Sequence, residues 1–143
     1  MLIAARVFLT LLGASIIPIG LMLAVLGPDT TAKLFGDILG TITRAPAYSG
    51  GFDHVNADSE MRVLAIYFAA YGAVILWLSA RLESHSRWVY CAIALYFAGG
   101  ATRLFSLASA GWPDPLLTYL MAIELGTPIL IACLLTLGLR AKT

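Results

Sequence analysis

Four long apolar runs, broken by short polar intervals, set the pattern of this 143-residue chain. They cover roughly 4–27, 61–81, 88–110 and 116–139. At about 1.5 Å per helical residue, each is long enough to cross about 30 Å of hydrocarbon. Backbone groups inside lipid have no water to bond to, so each run is predicted to be a helix. The first ends at Gly27-Pro28, and only Gly111-Trp112-Pro113-Asp114-Pro115 separates the last two. The predicted architecture is all-α: a four-transmembrane-helix bundle forming a single integral membrane domain over 1–143.

The one long polar stretch, 28–60, divides in two. Asp29 to Ile42 places Leu34, Phe35, Ile38, Leu39 and Ile42 on one helical face. That pattern predicts a short amphipathic helix lying on the membrane surface between spans one and two, capped by Asp29 or Thr30. Thr43 to Asn56 contains Pro46, Gly50 and Gly51 and reads as an irregular loop able to cover one mouth of the bundle. The N-terminal apolar run, Val7 to Leu26, exceeds the usual signal-peptide core of about 7–15 residues and lacks a small-x-small cleavage site. It is expected to be a retained helix.

Composition reinforces the membrane reading: 60% of residues are hydrophobic and 12% charged, against about a quarter charged in soluble domains. The lipid bilayer is thus the first partner. A net charge of +1 with no basic tract excludes a nucleic-acid footprint. Cys91 and Cys133 both fall inside spans and read as polarizable core filler. Arg6, Arg81, Arg87, Arg140 and Lys142 cluster at the end that carries both termini, while Asp29, Asp37, Asp53, Asp58, Glu60 and Asp114 lie at the other, with Lys33 and Arg44. The positive-inside rule then puts both termini in the cytoplasm. Trp77 and Trp88 are expected near the inner interface and Trp112 near the outer one.

Against this background Arg103 and Glu124 stand out as ionisable residues set well inside apolar spans. Each costs about 2.5–3.5 kcal/mol on insertion scales, so it is expected to face a partner or a wet cavity. Arg103 lies ten residues before Pro113 and Glu124 eleven after it, which puts them at nearly equal depth in an antiparallel hairpin. They are expected to pair. Pro128, four residues beyond Glu124, leaves the Glu124 carbonyl without its helical donor, and Pro18 does the same to Ala14. Tyr96, Gly99, Gly100, Arg103 and Ser106 share one face of span three, with the glycines allowing close approach. Span two opens Asp58-Ser59-Glu60-Met61-Arg62, with Asp58 or Ser59 as its cap, and sets Glu60, Tyr67 and Tyr71 at helical spacing. The expected site is a polar cluster of Glu60, Arg62, Tyr67, Tyr71, Arg103, Ser106 and Glu124, opening under the 43–57 loop.

Asp53, His54, Asp58 and Glu60 lack a recognised metal-ligand spacing, so no metal is assigned, and no cofactor is specified. Neither histidine lies in a span, and phosphate-binding or dinucleotide motifs are absent.

The chain resembles a family of small bacterial membrane proteins, domain-of-unknown-function family 4345. The resemblance rests on Glu60-Met61-Arg62 and Tyr71-Gly72, on Gly99-Gly100-Ala101-Thr102-Arg103-Leu104-Phe105-Ser106, on Gly111-Trp112-Pro113 and on Glu124. It implies a four-helix, multi-pass protein of the bacterial inner membrane and no established activity. Residues and resemblance together favour an accessory subunit of a membrane complex, with other subunits or further copies of the chain as partners, or a binder of a small lipid-like ligand at the Arg103–Glu124 cluster. The alternatives are a small membrane enzyme with Glu124 as acid/base, an ion-coupled transporter, or an ion pair serving the fold alone.

Overall fold

The structure is a computed structural model that describes residues 1–141. It contains α1 (Leu2–Leu26), α2 (Pro28–Thr43), α3 (Val55–Ala80), α4 (Ser86–Ala110) and α5 (Pro115–Arg140). Helices α1, α3, α4 and α5 are each long and apolar enough to cross a membrane. They are the four expected spans, and α2 is the expected short helix between the first two. Helices α1 and α5 run on through Pro18 and Pro128.

Polarity alone placed one boundary wrongly. Helix α3 starts at Val55, ahead of the apolar run, because a polar turn can be helical when its amides are capped. The cap is His54, whose Nδ1 accepts from the Asn56 amide at 3.3 Å. It is not Asp58 or Ser59. Asp58 instead takes a two-bond contact from Arg62, with Nε–Oδ2 at 2.7 Å and Nη2–Oδ1 at 3.1 Å. Helix α2, by contrast, begins without a side-chain cap: Gly27 turns the chain at φ 92° and Pro28 occupies the first turn. Asp29 and Thr30 therefore do not cap it.

Helices α1 and α3 make the closest pairing, and α4 and α5 form a second pair, whereas α3 and α4 touch only sparingly. Small residues set the first contact. A Cβ added at Gly20 would stand 2.8 Å from the Ala65 carbonyl oxygen and the Ala69 amide nitrogen, and one at Gly13 would stand 2.8 Å from the Gly72 carbonyl. The core lies toward the end holding the termini. There Leu9, Ile16, Ile75, Leu78, Leu82, Val89, Ile93, Ile131 and Leu135 are buried. Two polar pairs close within this half, Thr10 Oγ1 to Ser79 Oγ at 3.1 Å and Tyr90 Oη with Thr136 Oγ1 at 2.7 Å. The opposite half, roofed by α2, is looser and holds the candidate site.

The outer surface is greasy, with Ile3, Leu11, Val25, Leu95 and Phe105 all exposed, as expected of a chain whose solvent is lipid. Cys91 and Cys133 lie on this surface as free thiols. That corrects their reading as core filler: α4 and α5 turn only part of their circumference inward, and both cysteines fall on the outward part. Trp77 and Trp88 sit near the termini end, Trp77 under the Arg81 guanidinium at 4.7 Å, and Trp112 projects from the α4–α5 turn.

Candidate functional site

Arg103 and Glu124 meet as their depths predict. Arg103 Nε lies 2.7 Å from Glu124 Oε2 and Nη2 lies 3.1 Å from Oε1, a side-on two-bond contact between α4 and α5. Glu124 is buried, while the Arg103 side chain keeps about a third of its surface, 35%. Gly100 makes this possible. Its missing side chain is the space into which α5 packs, since a Cβ there would stand 2.9 Å from the Cβ of Glu124. Arg103, one turn further along α4, then reaches across to the carboxylate.

The pair stands between two spaces. On one side is an apolar cavity of about 310 Å³ bounded by α1, α2 and α5. Its walls include Ile19, Leu23, Thr31, Ala32, Phe35, Ile38, Leu39, Ile42, Phe52, Met61, Leu116, Leu120 and Ile123, and Arg103 is its one charged residue. On the other side is a pocket of about 210 Å³ lined by Phe68, Tyr71, Leu95, Tyr96, Gly99 and Glu124. The Tyr71 and Tyr96 rings stack there at 6.4 Å, and the Tyr71 hydroxyl donates to the Ala92 carbonyl at 2.7 Å. This second space exists because α3 has spent its packing face on α1 and α4 has spent its own on α5.

The larger cavity holds one unsatisfied group. Thr31 is buried, and its hydroxyl has no hydrogen-bond partner among the described residues. A threonine in a helix commonly bonds back to the carbonyl four residues earlier. Here only the Thr31 amide reaches the Gly27 carbonyl, at 3.1 Å. An orphan hydroxyl beside an apolar space is a place where a ligand atom lowers the energy.

The 44–54 segment lies against α2, contributes Phe52 to the cavity wall and is tied down by two carboxylates. Asp29 Oδ1 accepts from the Tyr48 hydroxyl at 3.2 Å and the Phe52 amide at 3.3 Å. Burial first, and then the bond to Asp29, raises the Tyr48 pKa well above that of a free phenol, so the tie is insensitive to ordinary alkali. Asp114 Oδ2 accepts from both the amide and the hydroxyl of Ser49 at 3.0 Å, while its Oδ1 caps α5 at the Leu116 amide. Asp114→Ala is expected to cost about 1 kcal/mol through the lost cap and to raise amide exchange at Ser49. Asp114→Asn should keep most of the cap through its single carbonyl oxygen but turn an NH2 toward Ser49, so it keeps the stability while the Ser49 amide loses its acceptor. Thermal unfolding and hydrogen exchange separate the two effects, and equal stability of the two variants would refute the assignment.

Not all of the expected cluster comes together. Tyr71 lies beside Glu124 in the smaller pocket, but Tyr67 is 69% exposed. Glu60 and Ser106 are exposed on the outside of the bundle. Shared helical spacing with Tyr71 did not bring Tyr67 or Glu60 inward, because α3 and α4 lie apart at their level and offer no surface to pack on. Arg62 belongs to a different structure altogether. Held by Asp58, it points Nη1 at the carbonyls of Ala24 and Val25, at 2.9 and 3.1 Å, and so closes the C-terminus of α1. The left-handed Gly27 leaves room for it: a Cβ there would lie 2.5 Å from Arg62 Nη2.

Sequence reading missed Thr31, although a threonine in register with Phe35 and Leu39 on the inner face of α2 was a usable signal. It also assigned the apolar face of α2 imperfectly. Phe35, Ile38, Leu39 and Ile42 do face the cavity, but Leu34 is turned outward and Thr31, Ala32 and Gly36 are the buried positions. Lys142, counted in the charge asymmetry, lies outside the described residues.

No curated protein and no solved structure matches the chain. A family model described as Domain of unknown function (DUF4345) matches residues 4–135, which takes in α2, α3, α4 and nearly all of α1 and α5. Both members of the ion pair and every wall of the two spaces fall within that range, and the chain belongs to this family of unknown function.

Proposed function

We propose that this membrane protein binds a small lipid-like ligand in the cavity between α1, α2 and α5, with Arg103 at its polar end. The observation that carries this reading is the cavity itself. At about 310 Å³ it lies at the lower end of the range for small-molecule sites, about 300–1,000 Å³. Its lining is almost wholly apolar, with the orphan Thr31 hydroxyl, Tyr119 and the Arg103 guanidinium as its polar members. A wall segment pinned by Asp29 and Asp114 suits a compartment that holds its contents. The clustering of Arg6, Arg81, Arg87 and Arg140 at the opposite end supports placing the roofed end outside and both termini in the cytoplasm of a bacterial inner membrane.

Native mass spectrometry of the protein released from a mild detergent tests this reading. The expected result is a co-purifying small apolar molecule at near-stoichiometric occupancy. Leu120→Trp, which fills the cavity from α5, should displace it while leaving the thermal unfolding midpoint close to that of the unmodified chain. An empty protein with an unaltered bilayer-lipid background in both samples would overturn the proposal.

A further inference from the structure

We infer that the ligand of this cavity presents a neutral hydrogen-bond acceptor, a carbonyl of the ester, ketone or quinone kind on an apolar body, and not an acid. The inference rests on the ligand-binding reading above and specifies its chemistry.

Arg103 invites an anion, but its charge is already matched: Nε and Nη2 both go to Glu124. An anionic head arriving in the cavity has two outcomes. It can join the pair, leaving two carboxylates against one guanidinium in an apolar surrounding. Or it can displace Glu124, whose carboxylate is then stranded beside Tyr71, Tyr96 and Phe68 with no cation facing it from α3, α4 or α5. Both leave an uncompensated buried charge, which is the unfavourable arrangement in low-polarity surroundings.

A neutral acceptor has neither difficulty. The Nη1 nitrogen of Arg103 makes no hydrogen bond among the described residues and has two donors to give. An acceptor placed there completes the guanidinium without disturbing Glu124. Thr31, in the wall of the same cavity, carries a hydroxyl without a partner that can donate to the same oxygen, and the Tyr119 hydroxyl is the third polar group of the lining. The two free donors of Nη1 call for an acceptor, and a neutral one leaves the Arg103–Glu124 pair intact. A carbonyl oxygen supplies that acceptor with no charge to match and no proton of its own to place.

Methyl laurate, laurate and dodecane share one chain and differ only in the head, so they serve as probes. With the full chain in detergent at alkaline pH, thermal-shift titration should rank methyl laurate about tenfold tighter than laurate and than dodecane. Thr31→Val, which preserves side-chain volume, should remove severalfold of the ester's advantage and leave dodecane binding unchanged. Laurate binding as tightly as the ester, or dodecane matching it, would overturn this inference while the ligand-binding reading stands. Failure of all three probes to bind, with Leu120→Trp behaving like the unmodified chain, would defeat both.

Discussion

Arg103→Met should destabilise the protein by about 2 kcal/mol, and adding Glu124→Gln should recover most of that loss. Removing one member of a buried pair leaves the other charged and unpartnered, which costs about 3–5 kcal/mol in fully buried cases. The lower figure applies because the Arg103 side chain is 35% exposed and its charge is partly solvated. Methionine keeps the apolar stem of the arginine as far as about Nε, so packing of the stem against α5 changes little. The residue left in difficulty is Glu124, held against Gly100 and the stacked tyrosines. Neutralising it as glutamine removes the stranded charge. Unfolding by SDS titration of the single and double variants gives the coupling directly. A double variant no more stable than Arg103→Met would show that the cost arises from lost arginine packing and not from charge.

Gly20→Leu should be more damaging, by about 3 kcal/mol or outright failure to fold. The Cβ alone would stand 2.8 Å from the carbonyl of Ala65 and the amide of Ala69, and these are backbone atoms that cannot rotate away. Helices α1 and α3 would have to separate. That separation would empty the core around Ile16 and Ile75, and loosen the Arg62 grip on the end of α1. Gly99→Ala and Gly126→Ala are the matched controls. Nothing lies within 4 Å of a Cβ at either position, so each should be neutral or stabilising by up to about 1 kcal/mol from helix propensity alone. The same SDS titration reads all three. A Gly20→Leu protein as stable as the controls would mean that the α1–α3 contact is not the close one described.

Span positions were legible because insertion into hydrocarbon depends on local composition, which a sequence displays directly. The Arg103–Glu124 pair was legible for a related reason: a tight turn fixes the register of an antiparallel hairpin, and counting from Pro113 gives depth. What counting does not give is rotation about a helix axis relative to a third helix. Tyr67 and Tyr71 differ by one turn along α3, yet one is exposed and the other reaches the Ala92 carbonyl. That difference depends on where α4 parts from α3, a tertiary fact. Arg62 was misassigned for the same reason, since its carbonyl acceptors come from α1, far away in sequence. Cys91 and Cys133 show a further limit. In lipid both faces of a helix are apolar, so hydrophobicity no longer separates inside from outside.

The placement of the pair on adjacent helices bears on how the chain enters the membrane. Arg103 and Glu124 are only 21 positions apart, joined by one tight turn, and need no other segment to find each other. An arginine offered to the bilayer on a lone helix carries its full transfer penalty. Offered as half of the α4–α5 hairpin, it enters already neutralised. The last two helices can thus be delivered as a self-contained unit, independent of whether α1 and α3 have yet docked. A charge that would otherwise hinder biogenesis becomes the latch that makes two segments insert as one.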